Sequence, residues 1–254
     1  MDARTRQRLA ELNRNFYDQH GENFADARPR LPSGVKRVLQ RIEPGSSVLE
    51  IGCGDGKVGR WLAQRGGGFY LGIDGSAAML ARAERFSEQL SVTREQSLFT
   101  GHCSLSFEHA DVLDPAWTRT LAGRTFDWIL AFAVFHHLPG AAARTRVLRE
   151  LAAHLAPSGR LAMSNWQFTR SERLRQRIAP WSALGLAEAD AEPNDHLLTW
   201  ERKGQRGLRY VHALDEAEAR KLAEQAGLSV IEVFSSDGVT GELSEYVVMK
   251  RKPL

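Results

Sequence analysis

The stretch Val48–Gly59, VLEIGCGDGKVG, sets a short apolar run against glycines at 52, 54 and 56 and then a helical pattern. A strand that ends in a glycine turn and feeds a helix is the opening unit of a parallel sheet with crossover helices. Residues without a β-carbon are needed at such a turn because they let a ligand approach the backbone closely. The alternation continues outward from this unit. Ser47–Ile51 reads as a buried strand, Lys57–Arg65 as a helix stopped by Gly66, Gly67 and Gly68, and Phe69–Ile73 as the second strand. Ser76 caps the next helix, which extends to about Phe86. The polar run 87–103 breaks the periodicity as an excursion before the strand Ser104–His109. Thr125–Phe132 is apolar on both faces, as a central strand requires; Ala141–Leu155 has helical spacing ended by Pro157 and Gly159, and Arg160–Trp166 is strand five. Between Gln167 and Tyr210 the alternation stops, and tryptophans and arginines among prolines and glycines predict an inserted cap rather than sheet. Asp215–Ala226 is a helix ended by Gly227, followed by closing strands at Leu228–Phe234 and Tyr246–Lys250. The fold class is a doubly wound α/β sheet.

With 254 residues, 43% hydrophobic and 26% charged, the chain fits one globular core. Its N-terminus lacks the apolar stretch of a signal peptide, and nowhere do enough apolar residues run together to span a membrane, so a cytoplasmic protein is expected. Cys53 and Cys103 are too few for a disulfide scaffold and lack zinc-site spacing, so no metal is expected. A net charge of +3 permits a polyanionic partner but lies far below the bias of a dedicated nucleic-acid binder.

Two further acids converge on the glycine turn. Asp74, in YLGIDGS at the end of the second strand, lies about 20 positions past the first glycine, where an acid can accept both ribose hydroxyls. Asp111, in HADV after the third strand, can face an adenine amino group. A dinucleotide would bring a pyrophosphate that avoids carboxylates, whereas S-adenosylmethionine brings a sulfonium and an ammonium. Glu50 and Asp55 suit the cation, and Cys53 reads as a small side chain packed under the turn.

These residues resemble the class I methyltransferases: VLEIGCGDG corresponds to their first motif, GIDGS to the second, HADV to the third and FDWILAFAVFHHL to the fourth. The resemblance spans Val48 to about Trp166, with Ser158 replacing a usual glycine. It implies a seven-stranded, mostly parallel sheet with the last strand antiparallel. It also implies a division into an N-terminal helical lid (1–45), a cofactor-binding core (46–168), a substrate cap (169–212) and a closing helix with two strands (213–254). The implied cofactor contacts are Glu50, Gly52, Gly54, Asp74, Gly75, Ser76, Met79, Asp111, Val112, Ala131, Phe132 and Phe135. More finely, AVFHHL, Lys57, Trp200, RYVH at 209–212 and GELSEYVVMKR are similar to the wobble-uridine tRNA carboxyl methyltransferases, with Val211 in place of a tyrosine. That similarity places Tyr17, Phe24 and Arg28 in a lid over the methionine end, and implies tRNA as partner and room for a small activator protein.

Methyl transfer is an in-line displacement, so the protein must align nucleophile, methyl carbon and sulfur and exclude water. A carboxylate acceptor is already ionised and needs orienting cations and donors, for which Arg209 and His212 are the candidates. A hydroxyl or amine acceptor would use a base, for which His136 or His137 is placed; a structural hydrogen bond is the plainer role for His137. Phe135, Trp166 and Tyr210 can stack on a base or belong to the core, and the arginines at 170, 173, 175 and 177 read as a solvated helix. His196 and Trp200 could line the acceptor pocket, though an anchoring tryptophan is simpler. The leading expectation is an enzyme acting on a tRNA wobble uridine or related carboxylate. The alternatives are a small-molecule O- or N-methyltransferase and a non-catalytic cofactor-binding partner subunit.

Overall fold

The computed structural model describes residues 1–66, 68–94 and 104–252, without the side chains of 89–94. In chain order the elements are α1 (Ala3–Asp26), α2 (Ser33–Leu39), β1 (Ser47–Ile51), α3 (Lys57–Ala63), β2 (Phe69–Asp74), α4 (Ala77–Arg94), β3 (Ser104–His109) and β4 (Phe126–Phe132). There follow α5 (Ala141–Ala153), β5 (Leu155–Trp166), α6 (Glu172–Arg175), β6 (Ile178–Ala179), β7 (Asp195–Arg202), β8 (Gln205–His212), α7 (Glu216–Gln225), β9 (Leu228–Ser236) and β10 (Ser244–Arg251).

Seven strands form one sheet in the order β3-β2-β1-β4-β5-β10-β9, parallel except that β10 runs antiparallel to both β5 and β9. The chain leaves β1 on one side toward β2 and returns on the other as β4. That reversal opens a crevice at the carboxyl ends of the strands, where such sheets bind ligands. Strand alternation splits the core. Leu49 and Ile51 of β1 face a layer with Leu71, Ile129, Leu148 and Leu222, while Val48 faces Val38, Leu62, Tyr70 and Trp128.

Three expectations need correction. The cap contains a sheet after all, with the antiparallel order β6-β7-β8. Its β7–β8 hairpin turns at Lys203 and Gly204, both at positive φ (50° and 75°). Such a two-residue turn is ordinarily signalled by Asn-Gly or Asp-Gly, and lysine in its first position hides it. The helix expected to end near Phe86 runs on to Arg94, and the rest of the 87–103 excursion, with Cys103, lies outside the described residues. The helix expected to reach Leu155 ends at Ala153, and Leu155 already pairs with Phe126, the register slipping before Trp128 meets Arg160. A strand bulge around Pro157–Gly159 accounts for both observations.

Helix α1 begins where Asp2 accepts the Thr5 amide at 2.6 Å, and its buried stripe of Thr5, Leu9, Asn13 and Phe16 is laid on the cap sheet. Cap and core are joined by charge. Arg144 of α5, 1% exposed, reaches Glu218 of α7 at 3.0 Å, Glu192 of the cap at 3.1 Å and the Leu138 carbonyl at 3.1 Å.

Gly59 of α3 lies against the Tyr70 ring, where an added β-carbon would meet a ring carbon at 2.7 Å. Tyr70 is tied to Glu50 by its hydroxyl and cannot swing aside. On an open helix Gly→Ala stabilises by about 1 kcal/mol. Gly59→Ala is expected instead to destabilise by about 1–3 kcal/mol through overpacking, read as a lower denaturant midpoint.

Candidate active site

The turn after β1 is built at positive φ, 65° at Gly52 and 56° at Gly54. The space a side chain at Gly52 would need is taken by Val134, which reaches over from the end of β4. Val134 is aimed there because Ala133, at φ 58°, donates its N–H to the Ser164 carbonyl at 3.0 Å and to the Ser164 hydroxyl at 3.1 Å. Asp74 draws the turn onto β2: its carboxylate accepts the Gly54 N–H at 2.7 Å and the Ser76 N–H at 2.9 Å. Burial raises the Asp74 pKa and those two donors oppose the rise. Cys53 is buried under the turn, with its thiol pushed up by burial and then by Asp74; a raised thiol pKa keeps it a packing residue.

Above this turn lies a cavity of about 330 Å³. Gly52, Gly54, Asp74, Gly75 and Ser76 line its floor, and Met79, Asp111, Val112 and Phe132 its side walls. From α1 come Tyr17 and Phe24, and from just past its end Arg28. Asp111 accepts the Leu113 N–H at 2.9 Å and pairs with Arg14 at 3.1 Å. Lys57 ties the roof to the turn, donating to the Arg28 carbonyl at 2.7 Å.

Three residues expected at the cofactor lie elsewhere. Glu50 points to the opposite face of β1, onto the Tyr70 hydroxyl. Burial first, then Asp74 and Asp55, raise its pKa to about 8 against the pull of Tyr70, so it is mostly protonated at neutral pH and supplies no fixed charge. Ala131, on the face of β4 that carries Ile129 into the core, is wholly buried, and so is Phe135, because the short 3₁₀ turn Phe135–His137 sends Phe135 inward and His137 toward the cavity. Asp55 does line the cavity, but Lys57 at 3.3 Å and two arginines neutralise it. Asp74, with no ion pair among the described residues, therefore carries the negative field, while Asp111 is offset by Arg14. The sequence reading also missed Ala10, Asn13 and Arg14, which line the cavity on the same helical face as Tyr17. Their spacing from Tyr17 was the available signal.

Beside this cavity sits a second constellation. Tyr17 donates to His137 Nε2 at 2.8 Å, and His137 Nδ1 donates to the Tyr210 carbonyl at 3.0 Å. Both ring nitrogens are thus engaged, and burial, then Arg209, lowers the ring's pKa to about 3. His136 is 2% exposed and neutral, its pKa held well below the usual value by burial, then by His137 and Arg209. Its Nδ1 accepts the Trp166 N–H at 3.3 Å, which assigns the ring proton to Nε2 and makes that atom a donor. Arg209 is 4% exposed, with its guanidinium 5.5 Å from the Phe16 centroid and 5.0 Å from those of Phe24 and Trp166. Its Nε has no partner; burial lowers its pKa, and the Tyr17 hydroxyl, not a carboxylate, opposes the fall. Arg28 lies 3.8 Å from the Phe24 centroid, drawn down to about 10 by burial and then by Arg209.

His212 is not brought to this place. Its Nδ1 meets Asp195 and its Nε2 meets Glu218, each at 2.7 Å, so both nitrogens serve the cap–core joint. Tyr210 is buried with its hydroxyl on Asp195 at 2.6 Å and cannot stack on a base. Trp200 packs on Phe16 with centroids 5.7 Å apart and anchors the cap to α1. No helix among the described residues is long and apolar enough to cross a membrane.

A nucleoside cavity opening where the strand order reverses, with acids ending the two strands beyond it, defines the class I S-adenosylmethionine-dependent methyltransferases. Residues 24–233 match the family described as a methyltransferase domain, and the chain belongs to that family. It is a methyl-transferring enzyme with S-adenosylmethionine as cofactor. Similar proteins include a probable tRNA methyltransferase 9B of Mus musculus, 25% identical over 66% of this chain and 33% of that one. A trans-aconitate 2-methyltransferase of Deinococcus radiodurans is 35% identical over 58% of this chain and 47% of that one. The matched part thus spans half or less of these relatives' length. Among solved structures, magnesium protoporphyrin IX methyltransferase from Synechocystis with bound SAM superposes with a TM-score of 0.61 at 16% identity, covering 94% of this chain and 95% of that one. At that identity it shows the fold.

Asp74→Ala removes the acceptor for two backbone donors at the cavity floor. S-adenosylhomocysteine affinity, measured by calorimetry, is expected to fall at least about 30-fold. His212 yields a pH prediction. Burial disfavours its charged form, but the hydrogen bonds to Asp195 and Glu218 outweigh burial and raise its pKa above 6.5. Its contribution to stability is therefore complete below pH 6.5 and is lost as pH rises through the higher folded value. Melting temperatures should fall over that window, and His212→Gln should flatten the fall.

Proposed function

We propose that this enzyme methylates a carboxylate, forming a methyl ester, and that the carboxylate belongs to a modified wobble uridine of tRNA or a related acceptor. The observation that carries the reading is Arg209. A guanidinium boxed by three aromatic rings, with no carboxylate against it among the described residues, has lost its hydration without gaining a counter-ion. Such burial costs several kcal/mol unless an anion arrives to pair with it. The acceptor carboxylate is that anion. His136 supports the same reading, because its free nitrogen carries a proton and can donate to an acceptor oxygen but cannot deprotonate one. An already ionised carboxylate needs no base.

The cofactor, when bound, supplies an electrophilic methyl group on a sulfonium. Asp74 holds the ribose end, and Tyr17 with Phe24 closes the roof against water. Arg209 and His136 orient one carboxylate oxygen toward the methyl and leave its outer lone pair free to attack. The likeness to a probable tRNA methyltransferase 9B supports an RNA acceptor. A second reading, a small free polycarboxylate, is supported by the enclosure of Arg209 and His136, 4% and 2% exposed, and by the likeness to a trans-aconitate 2-methyltransferase.

The test incubates the protein with labelled S-adenosylmethionine and separate RNA and small-molecule fractions of its host. Label that mild alkali releases as methanol is expected, and the labelled fraction decides between the acceptors. Alkali-stable label on a sugar or amine would defeat the ester reading. Arg209→Met is expected to lower kcat/KM about 100-fold while S-adenosylhomocysteine affinity stays within about twofold. With no histidine to deprotonate, the rate should stay level between about pH 6 and 8, where a general base of ordinary pKa would make it fall on the acid side.

A further inference from the structure

Asn13 lies in the middle of α1, 6% exposed, where a helix packing on a sheet ordinarily carries an apolar residue. Its amide is fully used. Oδ1 accepts the Tyr210 N–H at 2.8 Å, and Nδ2 donates to the Tyr210 carbonyl at 3.1 Å and to the His137 carbonyl at 3.2 Å. Among the described residues strand β8 has only β7 as a strand neighbour, so its outer edge would otherwise leave the Tyr210 N–H unpaired and its C=O with His137 Nδ1 alone. The Asn13 side chain pairs with that edge as another strand would. A buried amide costs about 1–3 kcal/mol unless each of its groups is paired, so these bonds define one position of helix against sheet and disfavour every other.

Both partners adjoin the acceptor machinery. Tyr210 follows Arg209 on β8, and His137 follows His136 in the 3₁₀ turn. Helix α1 also roofs the cofactor cavity through Asn13, Arg14 and Tyr17, and supplies Phe16 and Phe24 around Arg209. Whatever holds α1 down from the cofactor side therefore also seats it on β8.

We propose that Asn13 is a positioning residue, registering the lid helix on β8 and the His137 turn so that filling the cofactor cavity also sets Arg209 and His136 for the acceptor. The acceptor half rests on the carboxylate reading of Arg209; the coupling between cavity and β8 does not. By linkage, an acceptor seated at Arg209 tightens cofactor binding by the same factor that cofactor tightens acceptor binding.

Hydrogen–deuterium exchange on the full chain, with and without S-adenosylhomocysteine, tests this. In the wild type the ligand is expected to slow exchange of the β8 peptide by about tenfold, because the Tyr210 amide exchanges only when α1 lifts. In Asn13→Ala, S-adenosylhomocysteine should still bind within about fivefold of wild type and still protect the glycine turn, while its protection of β8 disappears. Asn13→Asp, nearly isosteric and able to accept the Tyr210 N–H, loses both donated bonds. Its carboxylate is repelled by the Tyr210 and His137 carbonyls, so it should uncouple β8 at least as fully, and exchange measured below each variant's melting temperature keeps the comparison to folded protein. With either variant kcat should fall while the KM for S-adenosylmethionine changes little. A purely structural Asn13 would lower the melting temperature and leave the ligand's effect on β8 intact. That result in both variants, or a wild-type β8 indifferent to ligand, overturns the proposal. Label found off carboxylates while β8 still responds through Asn13 would remove the Arg209 reading and keep this one.

Discussion

One carboxylate, Asp74, holds the ends of β1 and β2 together by accepting the N–H groups of Gly54 and Ser76. Without it the glycine turn would have positive-φ freedom and no reason to adopt one shape. With it, the backbone at Gly52 is presented to the cavity from below while Val134 folds over from β4, fixed in turn by Ser164. The cofactor floor is therefore a junction of four adjacent strands, β2, β1, β4 and β5, each donating its carboxyl end. A parallel sheet makes such a junction only where its strand order reverses.

A single helix serves both the cavity and Arg209. Helix α1 closes the cavity with Tyr17 and Phe24 and encloses Arg209 with Phe16 and Phe24. Sharing one element makes the two places interdependent, because the helix cannot lift from one and stay seated on the other. It also explains how a desolvated guanidinium persists without a carboxylate. The rings offer cation–π attraction in place of water, enough to hold the charge and too little to saturate it.

The cap is fastened by the opposite device. Arg144, Glu192, Glu218, His212 and Asp195 form a continuous chain in which each charge meets one of opposite sign. Charges that are mutually satisfied serve docking, and the one left without a carboxylate, Arg209, is the one we propose meets the acceptor. The contrast separates His212 from Arg209, although they stand three residues apart on one strand.

The α/β class, the glycine turn and the methyltransferase family were determined by the sequence alone, and the sequence also singled out Asp74, Asp111, Tyr17 and Arg28, which the structure places around the cavity. Each depends on local spacing: a strand's end, a turn's need for glycine, an acid at the next strand's end. Tertiary structure decided what local spacing cannot encode. Glu50 sits within the motif, yet strand alternation turns it to the far face onto Tyr70; Phe135 and His137 are two apart, yet a 3₁₀ turn sends one to the core and the other to the cavity. The cap sheet was hidden by a lysine in its hairpin turn. Whether a histidine or an arginine is paired depends on residues far away in the chain, such as Glu218 for His212 and Phe16 for Arg209, and only the folded chain brings those together.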